Sequence, residues 1–259
     1  ADLDGLERWG ITERILKGLI AGHRPEALLR RERGADALPP GRLGDDDLEE
    51  ALAAAGTLHA AAVASGYDPH RHHPFAGTVD VGGLVVDGTV NADPELGHIA
   101  TVTPSRLTGA RRLRAFAEMV FLSALRPDVA WTAVLIGKKE KSDKHLLVTL
   151  GPVRAADPET RRRRAVALLG ELVDLYVEGH QRPLPLPCET AYNWQRKGGR
   201  NGEGALKSAA DAFTWDRDEA YELVLPHLDS VESLLDSEFA DFCERLWLPV
   251  LESSAERTL

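Results

Sequence analysis

The chain has 259 residues, 31 of them Lys or Arg and 41 Asp or Glu, for a formal net charge of −10 and a pI near 5.4. A hydrophobic fraction of 43% with 28% charged residues excludes wholesale disorder; no stretch approaches the roughly 20 apolar residues of a membrane span, and no apolar h-region opens the chain as a secretory signal would. Two cysteines, Cys188 and Cys243, are too few for a disulfide framework or a cysteine-rich zinc site and point to a reducing cytoplasm. Because Met119 is the only methionine, Ala1 is read as the first residue of a piece of something longer.

The acidic total argues against a partner made of phosphates, but the charge is segregated. Residues 1–99 carry 9 basic and 17 acidic side chains, residues 100–210 carry 19 and 11, and residues 211–259 carry 3 and 13. The net charges are therefore −8, +8 and −10, and clustered cations bind phosphates whatever the global sum, because screening confines surface electrostatics to about 8–10 Å. The clusters are Arg106 with Arg111, Arg112 and Arg114; Lys138, Lys139, Lys141 and Lys144; Arg161 to Arg164; and Arg196, Lys197, Arg200 and Lys207. Arg161–Arg164 points several ways around a helix and is the weakest as a surface.

In chain order, the apolar spacing of Leu6, Trp9, Ile15, Leu16, Leu19 and Ile20 predicts a helix over 3–20, stopped near Gly22. A Pro/Gly loop over 35–44 leads to an Ala-rich helix capped by Asp45–Asp47 and reaching about Ser65. Residues 67–74 (YDPHRHHP) read as a polar, solvated loop whose histidine spacing fits no usual metal-ligand pattern. Period-two strands follow at 78–81, 84–90 and 98–103, with turns at Gly82-Gly83 and at 93–97. A helix over 111–125, strands at 131–137 and 145–150 and a long helix over 158–178 come next, then an extended Pro ladder at 182–187. Helical pieces are predicted as far as Leu251, and the last residues as a polar tail. Residues 197–204 (KGGRNGEG) follow a helix and lack the Gly-Lys-Ser/Thr ending, so they read as a mobile loop and not as a phosphate-binding loop. Tyr192 and Trp194 flank basic residues and suit either base stacking or packing behind the Pro ladder. Cys188 is expected to be a structural thiol.

The order helix, three strands, helix, strand is α/β with a mixed sheet, and it is also the order of the restriction-endonuclease-like, PD-(D/E)xK, nuclease core. Such a nuclease needs carboxylates around Mg²⁺ and a lysine near the attacking water. In that fold the first acid ends a strand after Gly-x-hydrophobic, and the others stand as Asp/Glu-x-Lys on the next strand. Here the first element reads Gly88-Thr89-Val90-Asn91 and the second Ile99-Ala100-Thr101-Val102-Thr103-Pro104-Ser105. The first acid is an amide, Val102 or Thr103 takes the place of the second, and Pro104 or Ser105 that of the lysine. The expected site, near Asn91, Thr103 and Ser105, is degenerate, with no catalytic residue, no metal and no cofactor. Asp80, Asp87, Asp93 and Glu95 are nearby and are read as turn or strand-edge residues.

Four stretches carry a resemblance to one family, the C-terminal domain of RecC, the gamma subunit of exodeoxyribonuclease V (RecBCD). They are Leu6-Glu7-Arg8-Trp9 with Ile15-Leu16; Ala37-Leu38-Pro39-Pro40-Gly41-Arg42-Leu43-Gly44; Arg112-Leu113-Arg114-Ala115-Phe116; and Pro183 to Tyr192 (PLPLPCETAY), with Trp247-Leu248-Pro249-Val250-Leu251 near the end. Glu189 departs from the pattern, since relatives often have lysine there. The resemblance implies a restriction-endonuclease-like core with extra N- and C-terminal helices in one domain: an opening helix and loop over 1–44, the core over 45–180, and the Pro ladder with a helical extension over 181–259. It also implies a noncatalytic DNA-binding and scaffolding role in double-strand break repair, with DNA and the RecB and RecD subunits as partners, in the cytoplasm and away from membranes. The candidate nucleic-acid-binding residues are Arg106, Arg111, Arg112, Arg114, Lys138, Lys139, Arg196, Lys197 and Arg200. The alternatives are an active Mg²⁺-dependent nuclease with relocated carboxylates and a pure protein-interaction module.

Overall fold

Asp4 opens the first helix with a capping box: its carboxylate accepts from the backbone of Leu6 and Glu7, and the Glu7 carboxylate accepts from the Asp4 N–H at 2.9 Å. In the computed structural model, which describes residues 3–35, 38, 41–139, 144–235 and 238–259, this helix is α1 (Gly5–Ile20). A short helix α2 (Pro25–Arg33) follows; it was not foreseen, although Pro25 at its first turn and arginines in its last turn are the usual helix signals. Leu28 of α2 packs where a side chain at Gly18 would stand, 2.3 Å from a Cβ placed there.

The Ala-rich helix, α3 (Arg42–Ala64), begins a turn earlier than the Asp45–Asp47 cap implied, with Gly41 as its cap residue at φ +74°. The expected loop therefore ends at residue 41; its residues Ala37, Pro39 and Pro40 lie outside the described residues, as does Lys141 of the lysine-rich loop.

Strands β1 (His73–Val81) and β2 (Leu84–Ala92) form a hairpin, closed by Gly82 (φ +62°) and Gly83 (φ +91°), the two successive positive angles a tight primed turn needs. The expected loop at 67–74 is built instead as a 3₁₀ turn (Pro69–Arg71) running directly into β1. Arg71 there is held by the buried carboxylate of Asp93 at 3.1 Å.

β3 (His98–Arg106) leads through α4 (Gly109–Leu125) to β4 (Thr132–Lys138), which runs parallel to β3; β5 (His145–Leu150) is antiparallel to β4. The predicted order is thus present, but the three early strands do not share one sheet. Asp93 and His98 form an isolated bridge between β2 and β3, and β1–β2 stands as its own two-stranded sheet.

Beyond β5 come α5 (Pro158–Gln181), α6 (Cys188–Arg196), α7 (Ala205–Asp216), α8 (Glu219–Val224), α9 (Val231–Leu235) and α10 (Phe239–Glu252). The last residues are not a tail. They form β6 (Ser254–Thr258), antiparallel to β5, giving a four-stranded mixed sheet in the order β3-β4-β5-β6. β6 was missed because it is a mostly exposed edge strand that joins through its backbone, and hydrophobic periodicity registers only burial.

β4 shows why the layers sit as they do. Ala133 and Leu135 face a cluster that includes Phe116, Val120, Trp131 and Trp247, while Val134 and Ile136 face one built from Ile11, Ile15, Leu48 and Leu58. A strand buried on both faces reads as an unbroken apolar run, TAVLI, and helices must cover both sides. α1 and α3 cover one face; α4, α5, α6 and α10 lie on the other.

Arg112 fastens these layers. It is 2% exposed, its Nε donates to the Leu107 carbonyl at 3.3 Å, its guanidinium meets Glu256 of β6 at 2.7 Å, and its Cζ lies 5.2 Å from the centre of the Tyr192 ring of α6. Removing one partner of a buried pair strands the other, so Glu256→Ala, which leaves the buried Arg112 guanidinium without its carboxylate, is expected to destabilise the fold by about 3 kcal/mol. Arg112→Ala costs less, about 1–2 kcal/mol, because water reaches the Glu256 carboxylate that it leaves behind. Urea unfolding of the two variants and of the double variant checks this; equal and additive losses would contradict it.

Candidate nucleic-acid interface

The three residues expected near the site, Asn91, Thr103 and Ser105, lie on β2 and β3. Asn91 stands exposed near the end of β2. On β3, Thr103 is 7% exposed and its hydroxyl accepts from the Ser105 N–H at 3.2 Å. The Ser105 hydroxyl accepts from the indole N–H of Trp9 at 2.9 Å, which ties α1 to the end of β3.

The nearby carboxylates are engaged in folding the chain. Asp93 is fully buried and accepts from the backbone of Glu95 and Leu96, which shapes the β2–β3 reversal, and it pairs with Arg71. Asp80 accepts from Gly83 N–H in the hairpin turn. Asp87 and Glu95 are exposed. Among the described residues no group of three or more His, Cys, Asp or Glu is arranged to hold a metal ion.

The proposed cations separate into three settings. Arg106 and Lys138 are partners in register at the ends of the parallel strands β3 and β4, Leu107 N–H donates to the Lys138 carbonyl, and Lys139 follows beside β6, with its Nζ 3.5 Å from the Thr258 hydroxyl. All three side chains are exposed, and His145 faces Lys138 across β5. Arg111 is half-buried in the first turn of α4, and the well-exposed Arg114 pairs with Glu118 at 2.9 Å.

A second setting lies on and after α6. Arg196 stacks over the Tyr192 ring at 5.3 Å and donates to Asn193; Lys197 is exposed; Arg200 is bound by Asp241 and lies 3.7 Å from Glu244 of α10. The third is the interior: Arg112 is buried, so its charge serves the fold and does not face solvent. Tyr192 and Trp194 are likewise buried, which decides for packing over base stacking.

A model of the RecC C-terminal domain matches residues 1–199. Proteins named RecBCD enzyme subunit RecC are similar over nearly the whole chain: that of Mycobacterium tuberculosis H37Rv at 32% identity over 273 residues, covering 96% of this chain and 23% of the relative, and that of Mycolicibacterium smegmatis at 30% over 272 residues, covering 97% and 24%. The chain belongs to the RecC C-terminal domain family. It spans about a quarter of the length of these curated relatives.

Residues from two of the stretches that resemble RecC meet at one place. Arg112 from the RLRAF helix, Tyr192 from the end of the Pro ladder and Trp247 from α10 stack in sequence, the Tyr192 and Trp247 ring centres 5.2 Å apart. Gly109 makes room: a Cβ there would lie 2.8 Å from the Tyr192 Cβ. Glu189 has a structural role here. Its carboxylate accepts from Gly109 N–H at 2.9 Å and Ala110 N–H at 3.1 Å, capping α4 from a neighbouring helix, and Asp216 caps α6 in the same manner through Thr190. No local sequence signal announces a cap delivered from 80 residues away.

The Gly-rich segment at 197–204 is a compact 3₁₀ turn and not an open loop. Gly198, Gly199 and Gly204 have positive φ, and a Cβ on Gly202 would sit 1.6 Å from the Lys197 carbonyl oxygen. Burial, with Glu189 and Asp216 close by, pushes the Cys188 thiol up to about 12.

Two outcomes follow from this geometry. Glu189→Ala is expected to lower stability by about 1 kcal/mol, the usual cost of a lost cap, read as a shift in the urea midpoint; an unchanged midpoint would show the cap to be idle. Cys188 at pH 8 is expected to react with iodoacetamide on the order of a thousandfold more slowly than a free thiol, because the thiolate is the nucleophile; mass spectrometry of the native protein measures this, and labelling at the free-thiol rate would contradict it.

Proposed function

We propose that this domain is a catalytically silent, restriction-endonuclease-like module of a RecBCD-type repair complex in the cytoplasm, which holds unwound DNA and helps join the partner subunits. The observation that carries the reading is the state of the cleft: an amide at 91, Thr103 and Ser105 where ionisable groups are needed, and α1 bonded over Ser105 through Trp9. The helix–strand–strand–strand–helix–strand order supports the nuclease-like ancestry, with residues 45–180 as the core of a single domain over 1–259. The names of the relatives, RecBCD enzyme subunit RecC, support the complex and its RecB and RecD partners.

DNA is assigned to the exposed edge formed by Arg106, Lys138 and Lys139, with Arg111 and Arg114 beside it and Arg196, Lys197 and Arg200 as a separate, largely paired group. Phosphate contacts release counterions, so binding weakens with salt by roughly 0.7 in log–log slope per contact on a single strand. Partner contact is assigned to the acidic C-terminal third, where Trp215 and Leu223 are 78% and 82% exposed on α7 and α8.

Titration of the 259-residue chain with labelled single-stranded and forked DNA across salt tests this. Salt-sensitive binding that drops about tenfold on Lys138→Glu with Lys139→Glu is expected, with no Mg²⁺-dependent cleavage. Absence of binding even at low salt would favour a pure interaction module. Cleavage that chelation abolishes, and that Asp80→Asn or Asp87→Asn removes, would establish the active-nuclease alternative.

A further inference from the structure

Beside the basic edge, between α1 and α3, lies a cavity of about 290 Å³. That is just under the ~300 Å³ at which pockets begin to hold drug-sized ligands, so it has room for one planar heterocycle but not for a whole nucleotide. Its lining is mixed. The Trp9 ring forms part of one wall and is held in place by its bond to Ser105. Asp47, Glu50 and Ala54 line it from one face of α3, two of them carboxylates, and Arg8, Lys138 and His145 line it as well.

We propose that this cavity receives a single unstacked nucleobase bearing an exocyclic amino group, from a DNA strand whose phosphates follow Arg106, Lys138 and Lys139. The proposal rests on the reading of that edge as a DNA contact and adds what the contact selects. A fixed indole is a stacking platform whose ordering cost is already met. Ionised carboxylates only accept hydrogen bonds, so they favour the exocyclic amino groups of cytosine, adenine and guanine, with two donor hydrogens each, over thymine, which offers a single N3–H between two carbonyl oxygens.

Asp47 is positioned by Arg8 at 3.1 Å, which fixes one oxygen and half-neutralises the charge. Lys138 belongs to both surfaces: it lines the cavity and is the register partner of Arg106, so the edge and the cavity adjoin. Burial and the Lys138 charge lower the His145 pKa, so the imidazole is neutral at pH 7 and offers one donor and one acceptor without adding charge.

The test is competition binding of equal-length oligo(dC), oligo(dT) and abasic strands to the 259-residue chain at low salt. Oligo(dC) is expected to bind about tenfold more tightly than oligo(dT), which falls near the abasic strand. Ala54→Phe, which fills the cavity, is expected to bring oligo(dC) to the abasic level while the abasic affinity is unchanged, and that unchanged affinity shows the variant to be folded. Glu50→Gln, at an exposed position, is expected to erase the dC-over-dT preference. Equal affinities for dC and dT, or indifference to Ala54→Phe, would overturn the proposal. If salt-sensitive abasic binding then still disappears with Lys138→Glu and Lys139→Glu, the DNA edge stands and only the base pocket is lost; no binding of any strand would overturn both.

Discussion

A guanidinium cannot give up its proton inside a protein, so burying Arg112 obliges the surroundings to supply acceptors wherever it points. The Leu107 carbonyl, the Glu256 carboxylate and the Tyr192 ring face answer that demand from the β3–α4 connection, from β6 and from α6. The obligation runs through the C-terminal third: Glu256 places β6 on the sheet edge, Tyr192 seats α6 against Gly109, and Trp247 of α10 closes over Tyr192. In return α6 supplies Glu189 to the N-terminus of α4, so each helix completes the other.

This constraint changes the meaning of the basic middle third. Its +8 is not one surface. Arg112 is spent on the interior, Arg200 on α10 and Arg196 on Tyr192, while Arg106, Lys138 and Lys139 gather where β3 and β4 end in parallel. Ligands of open α/β sheets collect in the crevice outside the carboxyl ends of parallel strands, and here those ends carry cations. α1, bonded to Ser105, stands beside them.

What was legible in the sequence was what periodicity and turn chemistry encode: α1, α4, α5, the Gly82-Gly83 hairpin and the unbroken apolar run of β4. That positions 91, 103 and 105 hold uncharged residues is read from the sequence itself. What escaped depends on partners distant in the chain. β6 is polar and joins only through its backbone; the 67–74 segment is organised by Arg71 reaching Asp93; Glu189 caps a helix that precedes it; and Arg112 looks like a surface cation until Glu256 is folded against it. Charge along a sequence does not distinguish a buried brace from a phosphate contact.

The central claim is that DNA meets this RecC-type domain at the β3–β4 edge and not at the α6–α10 side. Lysine acetylation footprinting of the chain with and without single-stranded DNA addresses it residue by residue. Protection of Lys138 and Lys139, with Lys197 and Lys207 modified equally in both states, is the predicted result. Protection confined to Lys197 and Lys207, with Lys138 and Lys139 unchanged, would contradict it.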